Sequence, residues 1–344
     1  MIADALKLVP ASLTKHSGNN RMVLAYVLAL ISLCAVFLIP PDFAFSELEA
    51  HILLQLKLPV LLTAVMVGLA IGAASACLQV LLNNPLADPG IIGISSGASL
   101  MAAAFILLAG TPFGLAIGLD SLTAYSINVL PLLCFVGAFG SSLLIFILAR
   151  AMGGAVSAVI LAGIAISTAC SAVIAWMFLV APPSQLQSLT FWLMGSFNNT
   201  TWGSLSIAIP VVTICLCGVM LNARRLNLLY LGEQNAALAG LDTRRFQTWS
   251  LVAVALLVGV SVSLAGSIAF LGLLVPHFVR RVHGNNNALV LPLSAILGAC
   301  VMVLCALVNT HLTTMTLPIS MLTASIGAPL FIYVMIKGAP KFQS

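Results

Sequence analysis

Long apolar runs separated by short polar ones set the pattern of this chain. The runs fall at 22–40, 58–80, 91–110, 127–149, 156–180, 203–221, 248–265, 268–282, 288–308 and 317–336. Most are about 20 residues long, enough to cross roughly 30 Å of hydrocarbon as a helix. None shows the short period-two alternation of a membrane barrel strand. In lipid the backbone must satisfy its own hydrogen bonds, so the runs are read as α-helices. The pattern predicts an all-α polytopic membrane protein of about ten transmembrane helices, forming a single transmembrane domain over 1–344. The eighth run is short and carries Pro276, which predicts a tilted or broken span. The first run exceeds a signal-peptide core and lacks an A-x-A cleavage site, so it is read as a retained helix.

Composition agrees with this and charge orients it. Charged residues are 6% and apolar residues 61%, against about 25% charged in a soluble domain. Mean hydropathy is +1.18. Ten spans put both termini on one side. With that side cytoplasmic, Lys7, Lys15, Arg21, Arg150, Arg224, Arg225, Arg244, Arg245, Arg280, Arg281, Lys337 and Lys341 all lie inside, and Lys57 alone lies outside. The outer loops carry Asp42, Glu47, Glu49 and Asp120 instead. The positive-inside rule therefore supports both the orientation and the span count. The net charge of +5 is a topology signal; no basic soluble face exists for nucleic acid.

Two polar stretches stand apart. The inner segment from Arg224 to Gln247, "RRLNLLYLGEQNAALAGLDTRRFQ", is too polar to span. Its middle is rich in helix formers and bracketed by Gly232 and Gly240, which predicts a turn, a short helix and a second turn. It is either a solvated connector or a cytoplasmic docking surface. The outer segment Ser188–Trp202, with Trp192 and Trp202, predicts a short helix lying at the interface. A weak internal echo relates Val67–Pro85 to Val258–Pro276, as transporters with internal repeats display.

The chemistry is sparse. No span carries an Asp, Glu, Lys or Arg at its middle, which counts against a proton- or ion-coupled carrier. There is no phosphate-binding G-x-x-x-x-G-K-[ST] and no HExxH, and the G-x-S-x-G spacing of Gly93–Gly97 is not placed for hydrolysis. No catalytic, metal or cofactor site is expected. The eight cysteines lie in or at the ends of apolar runs without a CxxC pair and are read as packing residues. His277 is read as a capping or interface residue. The spans are rich in Gly, Ala and Ser, which allows close helix packing and also a wide passage between helices.

Several segments together resemble one family. They are "KLP" (57–59), "NPLADPGIIGISSGA" (84–98), "ILAGIAIS" (160–167), "FWLMGSF" (191–197), "LGEQNAALAG" (231–240), "GSIAFLGLLVPHFVR" (266–280) and "TASIGAPLF" (323–331). The chain resembles the FecCD-type permeases, the membrane subunits of ATP-binding-cassette importers for iron-siderophores and vitamin B12. The resemblance implies a ten-helix subunit of the type II importer fold, without catalytic activity of its own, paired around a central pathway in the bacterial inner membrane. It implies a cytoplasmic gate at Asn84 and Leu86, facing Ser157. It implies that 224–247 couples to a cytoplasmic ATPase dimer through Leu231, Gly232, Glu233, Ala236 and Gly240, with Arg244 and Arg245 beside acidic groups of that subunit. It also implies a periplasmic or lipid-anchored binding protein on the outer face and a ferric siderophore as cargo, with cobalamin or haem as alternatives.

The chain departs from the family pattern on its outer face. Lys57 occupies one docking position, but Val60 stands where a second Arg is common. Cys305, Asn309 and Thr316 stand at positions where the family often has Asp, Arg and Glu. This loss of charge favours a heterodimer with a related permease that supplies the charged half. A carrier that works without ATP is the competing reading; it predicts transport by this chain alone.

Overall fold

The computed structural model describes residues 16–39, 47–90, 92–109, 129–152, 156–197, 200–312 and 317–338, and every regular element among them is helical. In chain order these are α1 (His16–Leu38), α2 (Glu47–Ile52), α3 (Leu58–Leu81), α4 (Ile94–Ala109), α5 (Val129–Ala151), α6 (Val156–Val180), α7 (Pro183–Met194), α8 (Trp202–Leu221), α9 (Ala223–Tyr230), α10 (Glu233–Leu238), α11 (Thr243–Ala265), α12 (Leu271–His283), α13 (Asn287–Leu307) and α14 (Ile319–Gly338). Short π-helical turns join α2 to α3 and extend α13. Each of the ten apolar runs carries one helix, with ends shifted by a turn or two. Among the described residues, seven helices are long and apolar enough to cross a membrane, and α4 and α14 are shorter apolar helices. The 13 residues of α12 reach only about 20 Å. This eighth span is broken as Pro276 suggested, but at its outer half: residues 266–270 are non-helical, and the helix runs unbroken through Pro276.

Small residues decide which helices meet. The span α3 is buried along most of its length and packs most closely on α13. A Cβ placed on Gly68 would collide with the Gly298 carbonyl, and one on Gly72 with the Ser294 carbonyl. Backbone therefore touches backbone, the geometry that small residues permit in membranes. Gly97 of α4 and Gly137 of α5 meet in the same way. The span α11 packs on α3, α4, α5 and α8, which completes the centre of the bundle. Peripheral α1 packs chiefly on α13. Cys77, Cys134, Cys170, Cys215, Cys300 and Cys305 are buried among these helices, Cys34 is half-buried and Cys217 is exposed.

Two expectations are corrected. The short outer helix is α7, which starts at Pro183 and ends at Met194, earlier than the aromatic stretch suggested. Pro183 sits at the first helical position, and Gly195 ends the helix with φ 81°. Trp202 instead begins α8. The echo between Val67–Pro85 and Val258–Pro276 does not join equivalent elements. The first segment is helical through Leu81, whereas the second breaks after Ala265.

Candidate functional site

The stretch Asn83–Gly90 is built from three successive turns. Asn83 ends α3 in a left-handed conformation (φ 43°). Its N–H donates to Val80 O, and the Asn84 N–H donates to Gln79 O, both at 3.0 Å. This is a Schellman cap with Asn in the place glycine usually takes. Asn84 Oδ1 then accepts the Leu86 N–H at 2.9 Å, and Asp88 Oδ1 accepts the Gly90 N–H at 2.7 Å. NPL and DPG are thus two Asx turns, each with Pro fixing the residue after the acceptor. The polar side chains bond backbone that the prolines keep from being helical. Leu86 is exposed and Asn84 half-exposed, while Ala87 and Asp88 are buried.

Asp88 anchors the loop to α12. Gly272 passes so close that a Cβ there would strike Asp88 Oδ2 and Ser75 Oγ. At the far end of α12, Arg280 ties three spans together. Its Nε donates to Gln79 Oε1 at 3.2 Å, and one terminal nitrogen donates to Ala76 O at 3.2 Å and Asn287 Oδ1 at 3.0 Å. The guanidinium also lies 5.6 Å from the Tyr230 ring centroid, within cation–π reach. Gln79 and Asn287 are buried, at 3% and 0% exposure. Arg280→Met strips these acceptors of their donor, which costs about 2–4 kcal/mol by the penalty for unsatisfied buried groups. The expected result is a clearly lower melting temperature of the purified protein; an unchanged melt contradicts this account of the network.

Tyr230 belongs to the polar segment that precedes α11. The helix α9 buries Ala223, Leu226 and Leu229 and exposes Arg224 and Arg225. Asn227 fixes it to the start of α13, accepting the Asn287 N–H at 2.7 Å and donating to Asn286 Oδ1 at 2.9 Å. Gly232, at φ 106°, allows the turn into α10. Gly240, at φ 87°, ends α10: its N–H donates to Ala237 O and the Leu241 N–H to Ala236 O, a second Schellman cap. The turn, short helix and turn expected from the sequence are all present. Asp242 then caps α11 by accepting the Arg245 N–H at 3.1 Å.

Two cavities join this segment to the loop after α3. One, about 380 Å³, is lined by Asn83, Asn84 and Pro85 together with Tyr230, His277, Arg280 and Arg281. The other, about 400 Å³, brings Glu233 of α10 beside Ile92 and Ile94, with Arg150 at the end of α5. At this cytoplasmic junction the residues flanking the α9–α10 turn thus line separate cavities, Tyr230 with Asn84 and Glu233 with Ile92 and Ile94. Ser157 is exposed on the first turn of α6, without a hydrogen bond to the loop. Deeper along α6, Ser167 Oγ meets Ser96 Oγ at 2.6 Å. Ala236 faces inward and is fully buried, whereas Leu231 and Leu238 are 65% and 87% exposed. Arg244 and Arg245 are exposed on the first turn of α11. The exposed Leu238 and half-covered Tyr230 were not singled out by sequence reading.

A second junction lies on the outer side. Gly195 and Gly266 cross at their backbones: Ser196 N–H donates to Ala265 O at 3.1 Å, and Ile319 N–H to Gly195 O at 3.0 Å. Ser320 Oγ donates to Ser267 O. Phe270 caps α12 in a left-handed conformation, φ 64°, a strained state that only its surroundings hold. Asn309 closes the turn before α14 by bonding both the N–H and the carbonyl of Leu317, at 2.8 and 2.9 Å. Cys305 is buried, and Thr316 lies outside the described residues. Lys57 is half-exposed at the start of α3, and Trp202 Nε1 ties the adjoining turn to α8 through Leu54 O at 3.2 Å.

Comparison with known proteins gives the context of these junctions. Residues 18–337 match the FecCD transport family. The vitamin B12 import system permease protein BtuC of Vibrio vulnificus (strain CMCP6) is 35% identical over 94% of this chain and 96% of its own. The hemin transport system permease protein HmuU of Yersinia pestis is 35% identical over 83% of this chain and 84% of its own. The solved inward-facing structure of a protein described as a metal-chelate type ABC transporter superposes with a TM-score of 0.82. It is 28% identical and covers 92% of this chain and 99% of that one. PsaBC of Streptococcus pneumoniae, 18% identical with a TM-score of 0.58, shares the fold. The chain belongs to the FecCD transport family and is a multi-pass inner-membrane protein.

Proposed function

We propose that this FecCD-family chain is the permease subunit of an ATP-driven importer that brings a bulky metal chelate into the cytoplasm. The observation that carries the proposal is the cytoplasmic junction: α9–α10 shares cavities with both ends of the loop after α3. A push on the exposed face of α10 reaches Asn83–Pro85 through Tyr230 and Ile92–Ile94 through Glu233. In this reading an ATPase subunit grips Leu231, Gly232, Glu233 and Leu238, with Arg244 beside its acidic groups. Asn84, Leu86 and Ser157 form the cytoplasmic gate. ATP-driven closure of the ATPase dimer shifts which gate is open, a rigid-body transition between packed states.

A second permease subunit completes the pathway, and a binding protein delivers cargo to the outer face near Lys57. With Val60, Cys305 and Asn309 uncharged, that face favours a related rather than identical second subunit. The relatives named for vitamin B12 and hemin support a corrin or haem cargo as directly as the sequence resemblance supports a ferric siderophore. All three are bulky chelated metals.

The test is uptake of labelled cobalamin, hemin and a ferric siderophore into proteoliposomes that hold this chain, its ATPase, its binding protein and, in one arm, the second permease. Uptake of at least one of the three is expected to require ATP. Gly232→Pro is expected to abolish it, because φ near −65° cannot replace 106° at the turn into α10. Uptake by the chain alone, indifferent to ATP and to Gly232→Pro, overturns the proposal in favour of an autonomous carrier. Dependence on the second permease decides between heterodimer and homodimer.

A further inference from the structure

A groove of about 780 Å³ runs between α8 and α11, bordered at its lower end by α9 and the turn after α10, with Cys77 of α3 at its floor. Its upper walls are apolar: Ile214 is 71% exposed on one side, and Val252 and Leu256 line the other. A Cβ on Gly218 would meet nothing within 4 Å, so the groove is open along α8. Its lower end is polar, with Arg225 of α9 and Arg245 of α11 on its rim. Trp249, 66% exposed, stands one turn above Arg245, where an amphipathic ring suits the membrane interface.

We propose that this groove holds an anionic phospholipid of the inner leaflet, its phosphate between Arg225 and Arg245 and one acyl chain along α8 and α11. Length supports this occupant. From Arg245 to Leu256 the helix rises about 16 Å, the depth of roughly one leaflet of a 30 Å hydrocarbon core. Charge supports it as well. The one acid on the rim, Asp242, is engaged as the cap of α11, where the helix N-terminus offsets its charge. Arg225 is held in place by donating to Asn222 Oδ1 at 3.0 Å. Two guanidinium groups above an apolar slot match a phosphodiester joined to a hydrocarbon tail. A soluble anion uses only the rim, and a zwitterionic headgroup brings a cation against the same arginines.

Native mass spectrometry of the detergent-purified full chain tests this, with dioleoyl-phosphatidylglycerol and dioleoyl-phosphatidylcholine added at equal concentration. The expected result is a roughly thirtyfold preference for phosphatidylglycerol, the size two interfacial arginines supply. The double variant Arg225→Gln/Arg245→Gln should lose that preference and still bind both lipids weakly. Gly218→Leu, which fills the open wall, should reduce both lipids alike. Equal binding of the two headgroups, or a preference unchanged in the double variant, overturns the proposal. Full displacement of the lipid by soluble glycerol phosphate overturns it in favour of a free-anion site.

Discussion

If α10 is the docking element proposed above, replacing Leu231 and Leu238 with glutamate is expected to release the ATPase subunit and leave the membrane fold intact. Both leucines are largely exposed on a segment that faces the cytoplasm, with Leu238 at 87%. The helix α10 buries only Ala236, and Leu238 on it and Leu231 just before it stay exposed, which suits the docking face proposed above. Side chains at the centre of such contacts commonly contribute about 2 kcal/mol or more each when truncated. The double variant should therefore weaken ATPase binding by roughly a hundredfold or more. Neither side chain supports the bundle, so the melting temperature should stay within a degree or two of the parent. The measurement is the affinity of purified ATPase for the immobilised chain. An unchanged affinity removes α10 as the docking element and shifts attention to the exposed arginines.

The largest effect on the fold is expected from Gly72→Val. Its Cβ would occupy the space of the Ser294 carbonyl. Backbone cannot swing aside as a side chain can, so α3 and α13 must separate, and the neighbouring contact of Gly68 with Gly298 opens with them. Overpacking a tight core costs about 1–3 kcal/mol and occasionally more, and a backbone clash lies at the upper end. The expected result is poor yield and a much lower melting temperature in detergent. Gly218→Ala is the matched control. It also lies in a helix but faces open space, so it should be neutral or slightly stabilising, because alanine favours helix by up to about 1 kcal/mol over glycine. If Gly72→Val melts like the parent, the close crossing of α3 and α13 does not hold the bundle together.

Much of this architecture is legible in one dimension because a membrane leaves few choices. A run such as Leu58–Leu81 must be a helix if it is in lipid at all, and Lys and Arg outside the spans must lie mostly on one side. The turns were legible too. Asn, Asp, Pro and Gly act within two or three residues of themselves, so Asn84-Pro85 and Asp88-Pro89-Gly90 announced their own bends. Gly232 and Gly240 announced the ends of α10 in the same way. Less legible was the outer helix α7, where the aromatic content of 188–202 drew the eye past the Pro183 start and the Gly195 stop. The echo between Val67 and Val258 misled because two apolar helices share composition without sharing their breaks.

The sequence by itself determined the rough limits of the apolar helices, their orientation and the local turns of the inner loops. These follow from hydropathy, charge and short-range backbone chemistry, each of which acts on neighbouring residues. Only the tertiary structure decided which glycines become contact points, since Gly72 and Gly218 are alike in sequence and opposite in surroundings. It alone showed that Arg280 reaches Gln79, 201 residues away, and that α9–α10 shares cavities with the loop at Asn84. It alone set Arg225 and Arg245 on the rim of one groove. The physical reason is common to all four: lipid makes every apolar face equally acceptable, so pairing is settled by close packing and a few buried polar bonds, and these join residues far apart in the chain.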